Sequence, residues 1–220
     1  MTATASAALA TAGKRNEGWV KFGTQIALLS IGFLLGVCLM GAEMAAIRMM
    51  TPYFGSGIEI WASMIATVML AMMAGYYTGG MLADRKPSTV VLGGAMVIAG
   101  AYVFAVPSLG VPMLDWVLQN VGYDVGASLL ASVMLLFVPM TLLSFFSPFA
   151  VRLLLSDAQH GGRVAGSVYS ITTVGNIVGT LGTALFMMRF FGNQHIMYIF
   201  AGGIVLCGVA LIALRVRAAV

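Results

Sequence analysis

Charge is scarce in this sequence. Only 8% of its 220 residues are Asp, Glu, Lys or Arg, against about 25% in a soluble domain. A chain so poor in charge has too little polar surface to face water, and its long apolar runs make lipid its natural solvent. Cysteine is nearly absent too. Cys38 and Cys207 both fall inside apolar runs, which argues against a disulfide and offers no metal-ligand spacing. No stretch of about ten residues alternates in polarity, so a transmembrane β-barrel is excluded. There is no nucleophile–base pair, P-loop or dinucleotide fingerprint, and neither enzyme activity nor a cofactor is expected. The net charge of +4 gives no reason to expect nucleic acid, because the basic residues sit at the ends of apolar runs, where membrane proteins carry them.

What remains predicts an all-α, polytopic membrane protein whose main partner is the bilayer. Six spans follow from runs near or above the ~20 residues a crossing needs: 21–50, 57–83, 89–109, 126–155, 163–188 and 196–214. Residues 1–20 read as a disordered, Ala/Thr/Ser-rich tail and 215–220 as a short basic tail, flanking one six-helix domain over 21–214. The first apolar run is too long for a signal-peptide core and lacks a clear cleavage site, so it is expected to be retained. The third span is expected to stop near Pro107 and Pro112. Asp115, Gln119, Asn120 and Asp124 then interrupt the pattern over 111–125, which reads as a surface-lying amphipathic turn or an ordered loop. Pro139 and the Ser147-Pro148 pair predict a kink in the fourth span.

Orientation follows from the basic residues. With the N-terminus inside, Lys14, Arg15, Lys21, Arg85, Lys86, Arg152, Arg163, Arg215 and Arg217 are cytoplasmic, and Arg48 and Arg189 are outside. This bias predicts that both termini are cytoplasmic, in the inner membrane of a bacterium. His160 and His195 then lie on opposite sides and make no shared metal site. The chain has 17 methionines. Thioethers can carry Cu(I), but filling irregular apolar gaps is their commoner use.

The most informative stretch is Gly41–Trp61, which sets Glu43, Arg48 and Glu59 in or beside two apolar runs. An ionisable residue in a span is a functional-site candidate. Glu43 and Arg48 are five positions apart, about 140° around a helix, which is poor for pairing on one face. Each therefore needs a partner elsewhere, and Glu59, across the Thr51–Gly57 turn, is the nearest candidate for Arg48. Glu43 reads either as a solute- or proton-binding carboxylate or as part of an ion-pair network between helices. Arg48 and Glu59 read as structural. Asp84, next to Arg85, is placed to accept from Arg152 or Arg163 at the cytoplasmic side.

On the fifth span, Gly175, Gly179 and Gly182 form a small-residue packing face. Thr173, Asn176, Thr180 and Thr183 form an adjoining polar face, with Tyr169 one turn earlier. That face either lines a central cavity or supplies interhelical hydrogen bonds; Tyr169, Asn176 and Thr180 join Glu43 as candidate substrate-binding residues.

Several stretches together carry a resemblance. They are Glu43-x4-Arg48-x3-Pro52-Tyr53-Phe54-Gly55-x5-Trp61, Gly75-Tyr76-x2-Gly79-Gly80-x-Leu82-Ala83-Asp84-Arg85, Ser147–Leu153, and Gly162-Arg163-x2-Gly166-x2-Tyr169-x5-Gly175-x3-Gly179-Thr180. Over roughly Ile26 to Leu214 the chain resembles the membrane half of bacterial proteins that fuse a major-facilitator-like domain to a spermidine-synthase-like domain. The Gly-x-Leu-Ala-Asp-Arg stretch matches the major-facilitator signature between helices two and three only in its first half. The resemblance implies a fold like one half of a major facilitator. It does not extend to aminopropyl transfer, whose Gly-rich loop and acidic residues belong to the soluble domain. Two functions follow: a transporter-like module for a small, cationic or polyamine-like solute, completed by a homo-oligomer or another membrane protein, or a non-catalytic subunit that anchors a separately encoded synthase-like enzyme or a larger complex. An intramembrane enzyme has the least support.

Overall fold

Where lipid offers no hydrogen bonds, every backbone N–H and C=O must be bonded within the chain, so apolar runs of this length fold as helices. The structure, a computed structural model, describes residues 23–155 and 161–216. The tail read over 1–20 and residues 217–220 lie outside the described residues. Six described helices are long and apolar enough to cross a membrane: α1 Gly23–Phe54, α2 Ile58–Arg85, α3 Thr89–Asn120, α4 Val125–Leu154, α5 Gly161–Phe190 and α6 Asn193–Leu214. The chain is an all-α, multi-pass membrane protein.

Two boundaries differ from the sequence reading by more than a turn: α1 runs on through Pro52 to Phe54, into the stretch read as the Thr51–Gly57 turn, and α3 is the larger case. Residues 111–120 continue α3 instead of forming a separate turn or loop, with Pro107 and Pro112 inside the helix. Each proline removes a single N–H, which a membrane helix tolerates when neighbours repair the break. The added turns are amphipathic: Leu114 and Val117 are buried while Trp116 is exposed. At 1.5 Å per residue α3 is about 48 Å long, so its last turns outrun a hydrocarbon core of about 30 Å. That accounts for Asp115, Gln119 and Asn120 without a loop. The reversal follows at Gly122 (φ 112°), and Asp124 caps α4 by accepting from the Ala127 N–H at 2.8 Å.

The kink expected in α4 takes the form of two helix irregularities. A π-turn spans Val133–Phe137 just ahead of Pro139, and the helix is interrupted at Phe145, whose N–H bonds only three residues back to Leu142. Pro139 has no N–H to give, and in π register its partner would be the Met134 carbonyl. The Tyr102 hydroxyl of α3 donates to that carbonyl. Tyr102→Phe is therefore expected to cost about 0.6 kcal/mol, the average for interhelical hydrogen bonds in membranes, and at most about 1.7 kcal/mol, read as a lowered melting temperature in detergent.

The helix pairing has an internal symmetry. α1 packs along α5, α2 along α4, α3 along α6, and α1 and α4 also contact α6 and α3 respectively. This set maps onto itself when α1 is exchanged with α4, α2 with α5 and α3 with α6. Helices three apart run in opposite directions, so α1–α3 and α4–α6 are two inverted three-helix units. Close approaches repeat the relation. Gly175 and Gly179 of α5 lie against the carbonyls of Phe33 and Val37 on α1. Gly75 and Gly79 of α2 lie against the Thr141 carbonyl and the Phe145 Cα of α4. Gly93 of α3 and Gly208 of α6 each face the other's carbonyl. Only glycine lets two backbones meet this closely. Gly182, grouped with Gly175 and Gly179 from the sequence, has no neighbour within 4 Å of where a Cβ would stand.

The end of α6 is also tied down. Arg215 turns the chain through a left-handed conformation (φ 46°). The Thr89 N–H, at the start of α3, then donates to the Val216 carbonyl, and the Val216 N–H donates to the Thr89 hydroxyl, both at 3.0 Å.

Candidate functional site

Where α1, α2, α4 and α5 meet, close packing leaves a cavity of about 40 Å³. A water needs roughly 10–15 Å³ on this measure, so the space accommodates a few waters or a small polar group. Its α1 wall is Gly32, Leu35, Gly36 and Leu39; Met72 and Tyr76 come from α2, Ser144 and Ser147 from α4, and Thr172 and Asn176 from α5. The polar groups converge from three helices. Some are already engaged: the Ser144 hydroxyl donates to the Met140 carbonyl at 2.7 Å and Thr172 to Val168 at 3.0 Å. The Asn176 side-chain amide makes no hydrogen bond among the described residues, so its donors and acceptor are available to whatever fills the cavity.

Tyr76 lines this space, and Tyr169 lies on α5 outside its lining. The Tyr76 hydroxyl interacts with Ser147 and lies near Tyr169. Both rings are partly exposed, and α2 and α5 do not pack along each other. The gap between these two helices is thus bordered by two phenol hydroxyls.

Glu43 belongs to the same wall of α1. It follows Gly32 by eleven residues, three turns plus about 20°, and Leu39 by one turn, about 6 Å along the axis. It is buried, with 6% of its surface exposed, and makes no hydrogen bond or ion pair among the described residues. Neighbouring contacts fix its level. Gly179 meets Val37 and Arg48 meets Met188, which sets Glu43 opposite the π-turn of α5, Thr183–Met187. On the other side Gly32 meets Phe146 and Met50 meets Ser132, which sets Glu43 opposite the π-turn of α4. Such turns recur at functional sites because they re-aim side chains and release backbone groups.

Of the four candidate binding residues, Asn176 lines the cavity, Glu43 lies one turn beyond its α1 wall, and Tyr169 is not part of its lining. The Thr180 hydroxyl is committed to the Asn176 backbone carbonyl at 2.9 Å. The polar stripe of α5 is split in the same way: Thr173 bonds back to Tyr169 at 2.7 Å and Thr183 is buried.

The pairing suggested for Arg48 is corrected. Its guanidinium donates to the Met188 carbonyl at 2.9 Å, and Glu59, exposed on α2, has no ion pair among the described residues. The physical reason is local. The last carbonyls of a helix have no intrahelical partner, and a basic side chain on the adjacent helix satisfies one of them. Asp84 does pair with Arg152, at 3.6 Å; Arg85 and Arg163 join no ion pair among the described residues. Sequence reasoning missed Tyr76, Ser144, Ser147 and Tyr102. The Gly75-Tyr76-Tyr77-Thr78-Gly79 run contained the signal, since glycines on one side of Tyr76 bring its ring to the helix crossing.

Among the described residues no cluster of three or more His, Cys, Asp or Glu could hold a metal ion. Compared with protein-family models, curated proteins and solved structures, the chain matches none.

Proposed function

We propose that the chain is a transporter-like module that handles a small cationic solute, with Glu43 as the carboxylate that binds it. One observation carries the proposal: a buried carboxylate with no partner among the described residues lies one turn beyond the Leu39 wall of a cavity in the helix bundle, on the same face of α1. An unpaired ionisable side chain at such a place is costly, and a cationic ligand would supply the partner that no described residue provides. The inverted three-helix units support this reading, since transporters built from such units bind solute near the bilayer midplane at the repeat interface. So does the resemblance to the membrane half of major-facilitator/spermidine-synthase-like proteins, which suggests a polyamine-like amine. In this proposal the protein sits in a bacterial inner membrane with both ends cytoplasmic and performs no catalysis.

A second reading, a non-catalytic subunit that anchors a soluble enzyme or joins a larger complex, is favoured by α5. Only 17% of its most apolar window is buried, against 39–50% in the other spans, so it has the most surface to offer a partner.

Thermal melting of the purified protein with putrescine, spermidine or methylamine separates the two. Under the first reading an amine at a hundred times its dissociation constant raises stability by about 2.7 kcal/mol, and Glu43→Gln removes the increment. No increment with any amine, together with a stoichiometric protein partner after gentle solubilisation, favours the second.

A further inference from the structure

Cys38 and Cys207 stand far apart in the sequence and share one helix crossing in the fold. The contacts between α1 and α6 fix their register. A Cβ at Gly203 of α6 would meet the Cys38 Sγ at 2.9 Å, and one at Gly41 of α1 would meet the Phe200 ring. Three residues forward on α1 match three residues back on α6, so the helices run antiparallel. Cys207 follows Gly203 by one turn on the same face, so its side chain starts about 5–6 Å from that of position 203. A helical side chain leans towards its own N-terminus. In an antiparallel pair this tips each of the two thiols towards the other, and they lie within electrostatic reach. Both are buried, and neither is in a disulfide.

The offset decides what the pair can do. One turn is about 5.4 Å along the axis, and the gap between the helices adds to it. That carries the α-carbons beyond the roughly 7 Å that a disulfide spans. Two sulfurs with a space between them suit an ion, and the surroundings select its type. The faces around the thiols carry Leu35, Phe200, Ile204 and Leu211, all buried, and Glu43 lies about 140° around α1 from Cys38. The shell of oxygens that a hard cation needs is missing. Thiolates select soft ions, and a soft ion that takes two ligands needs no third group. A divalent ion replaces both thiol protons, forms two metal–sulfur bonds and releases two H⁺. The site then stays neutral, where an uncompensated charge is costly. We infer that Cys38 and Cys207 form a two-sulfur site for one soft divalent cation of the mercuric type, which clamps α1 to α6 and so joins the two three-helix units. The site faces away from the cavity and does not rest on the solute reading.

The purified protein is titrated with Hg(II) in detergent and thiol-free buffer. The parent is expected to bind one equivalent per chain with release of two protons, to show two sulfur neighbours by X-ray absorption, and to melt at a higher temperature once loaded. Cys38→Ala and Cys207→Ala are each expected to melt close to the parent without metal. Loaded, each shows one sulfur neighbour and binds at least about a hundredfold more weakly, the lower end of what joining two ligands in one event contributes. Cys207→Ala combined with Leu211→Cys keeps two thiols per chain but moves one a further turn away, so it behaves like the single variants. Zn(II), which takes four ligands, leaves the parent's melting temperature unchanged. Two equivalents of Hg(II) per parent chain, no binding at all, Zn(II) held as tightly as Hg(II), or parent-like affinity in the Leu211→Cys chain overturns the inference.

Discussion

Replacing Gly175 and Gly179 together by valine is expected to abolish the folded protein. Both glycines lie against backbone carbonyl oxygens of α1, at Phe33 and Val37, and a Cβ at either position stands inside the contact distance of that oxygen. Backbone cannot rotate aside as a side chain does, so α1 and α5 must separate. Separation strips contacts from the whole crossing, including Gly36 against the Thr172 carbonyl. Overpacking costs about 1–3 kcal/mol per site and sometimes more, and two sites on successive turns of one crossing compound it. Total stability is only about 5–15 kcal/mol. The measurement is the monodisperse fraction after detergent extraction, with melting of what survives. Gly94→Ala and Gly182→Ala are the controls, because neither glycine has a neighbour within 4 Å of the Cβ position; both are expected to melt at or slightly above the parent temperature. A double valine variant that melts like the parent would show that these helices do not cross at the glycines.

Glu43→Met is expected to stabilise the protein. The residue is 6% exposed and no described group bonds its carboxyl. Burying an unsatisfied polar group costs about 1–3 kcal/mol by protein mutational data, and an unbranched thioether fills the space without that cost. The melting temperature should rise, with Glu43→Gln giving a smaller change because the amide still needs partners. The sign separates the two roles open to this residue. A carboxylate in a structural network destabilises the fold when it is removed; one kept for a ligand leaves the empty protein more stable when it is removed. A lowered melting temperature for both variants would place Glu43 in the structural class.

Much of this architecture was legible in the residues. The spans follow from run length and scarce charge, and the separation of Arg48 and Arg189 from Arg85 and Arg152 reappears as opposite ends of the bundle. The small-residue strip at Gly175 and Gly179 marks the α1–α5 crossing, because glycine spacing on a helix directly encodes which backbone face is accessible. Proline was misleading at Pro107 and Pro112, since its local cost is one hydrogen bond and a long membrane helix absorbs that. Local pairing logic likewise favoured Glu59 for Arg48, whereas the acceptor is the backbone of Met188, an oxygen every residue possesses and no side-chain pattern announces. The cavity was visible only in outline: Asn176 and Glu43 stood out as costly polar residues, but Ser144 and Ser147 gained their positions from the interruption at Phe145. The inverted repeat was hidden for a similar reason. Its matched positions pair glycine with glycine but phenylalanine with threonine and valine with phenylalanine, so packing preserves it where residue identity does not.

On the proposed reading, Glu43 is kept for a cationic solute and not for the fold. Its most direct test is the flux of labelled spermidine through vesicles holding equal amounts of folded parent and Glu43→Gln protein. Movement by the parent is expected, with a fall of at least about tenfold in the variant, since leaving a buried cation without its counter-charge costs about 2–5 kcal/mol or more. Equal flux through the two proteins, or none above empty vesicles with the parent, would contradict it.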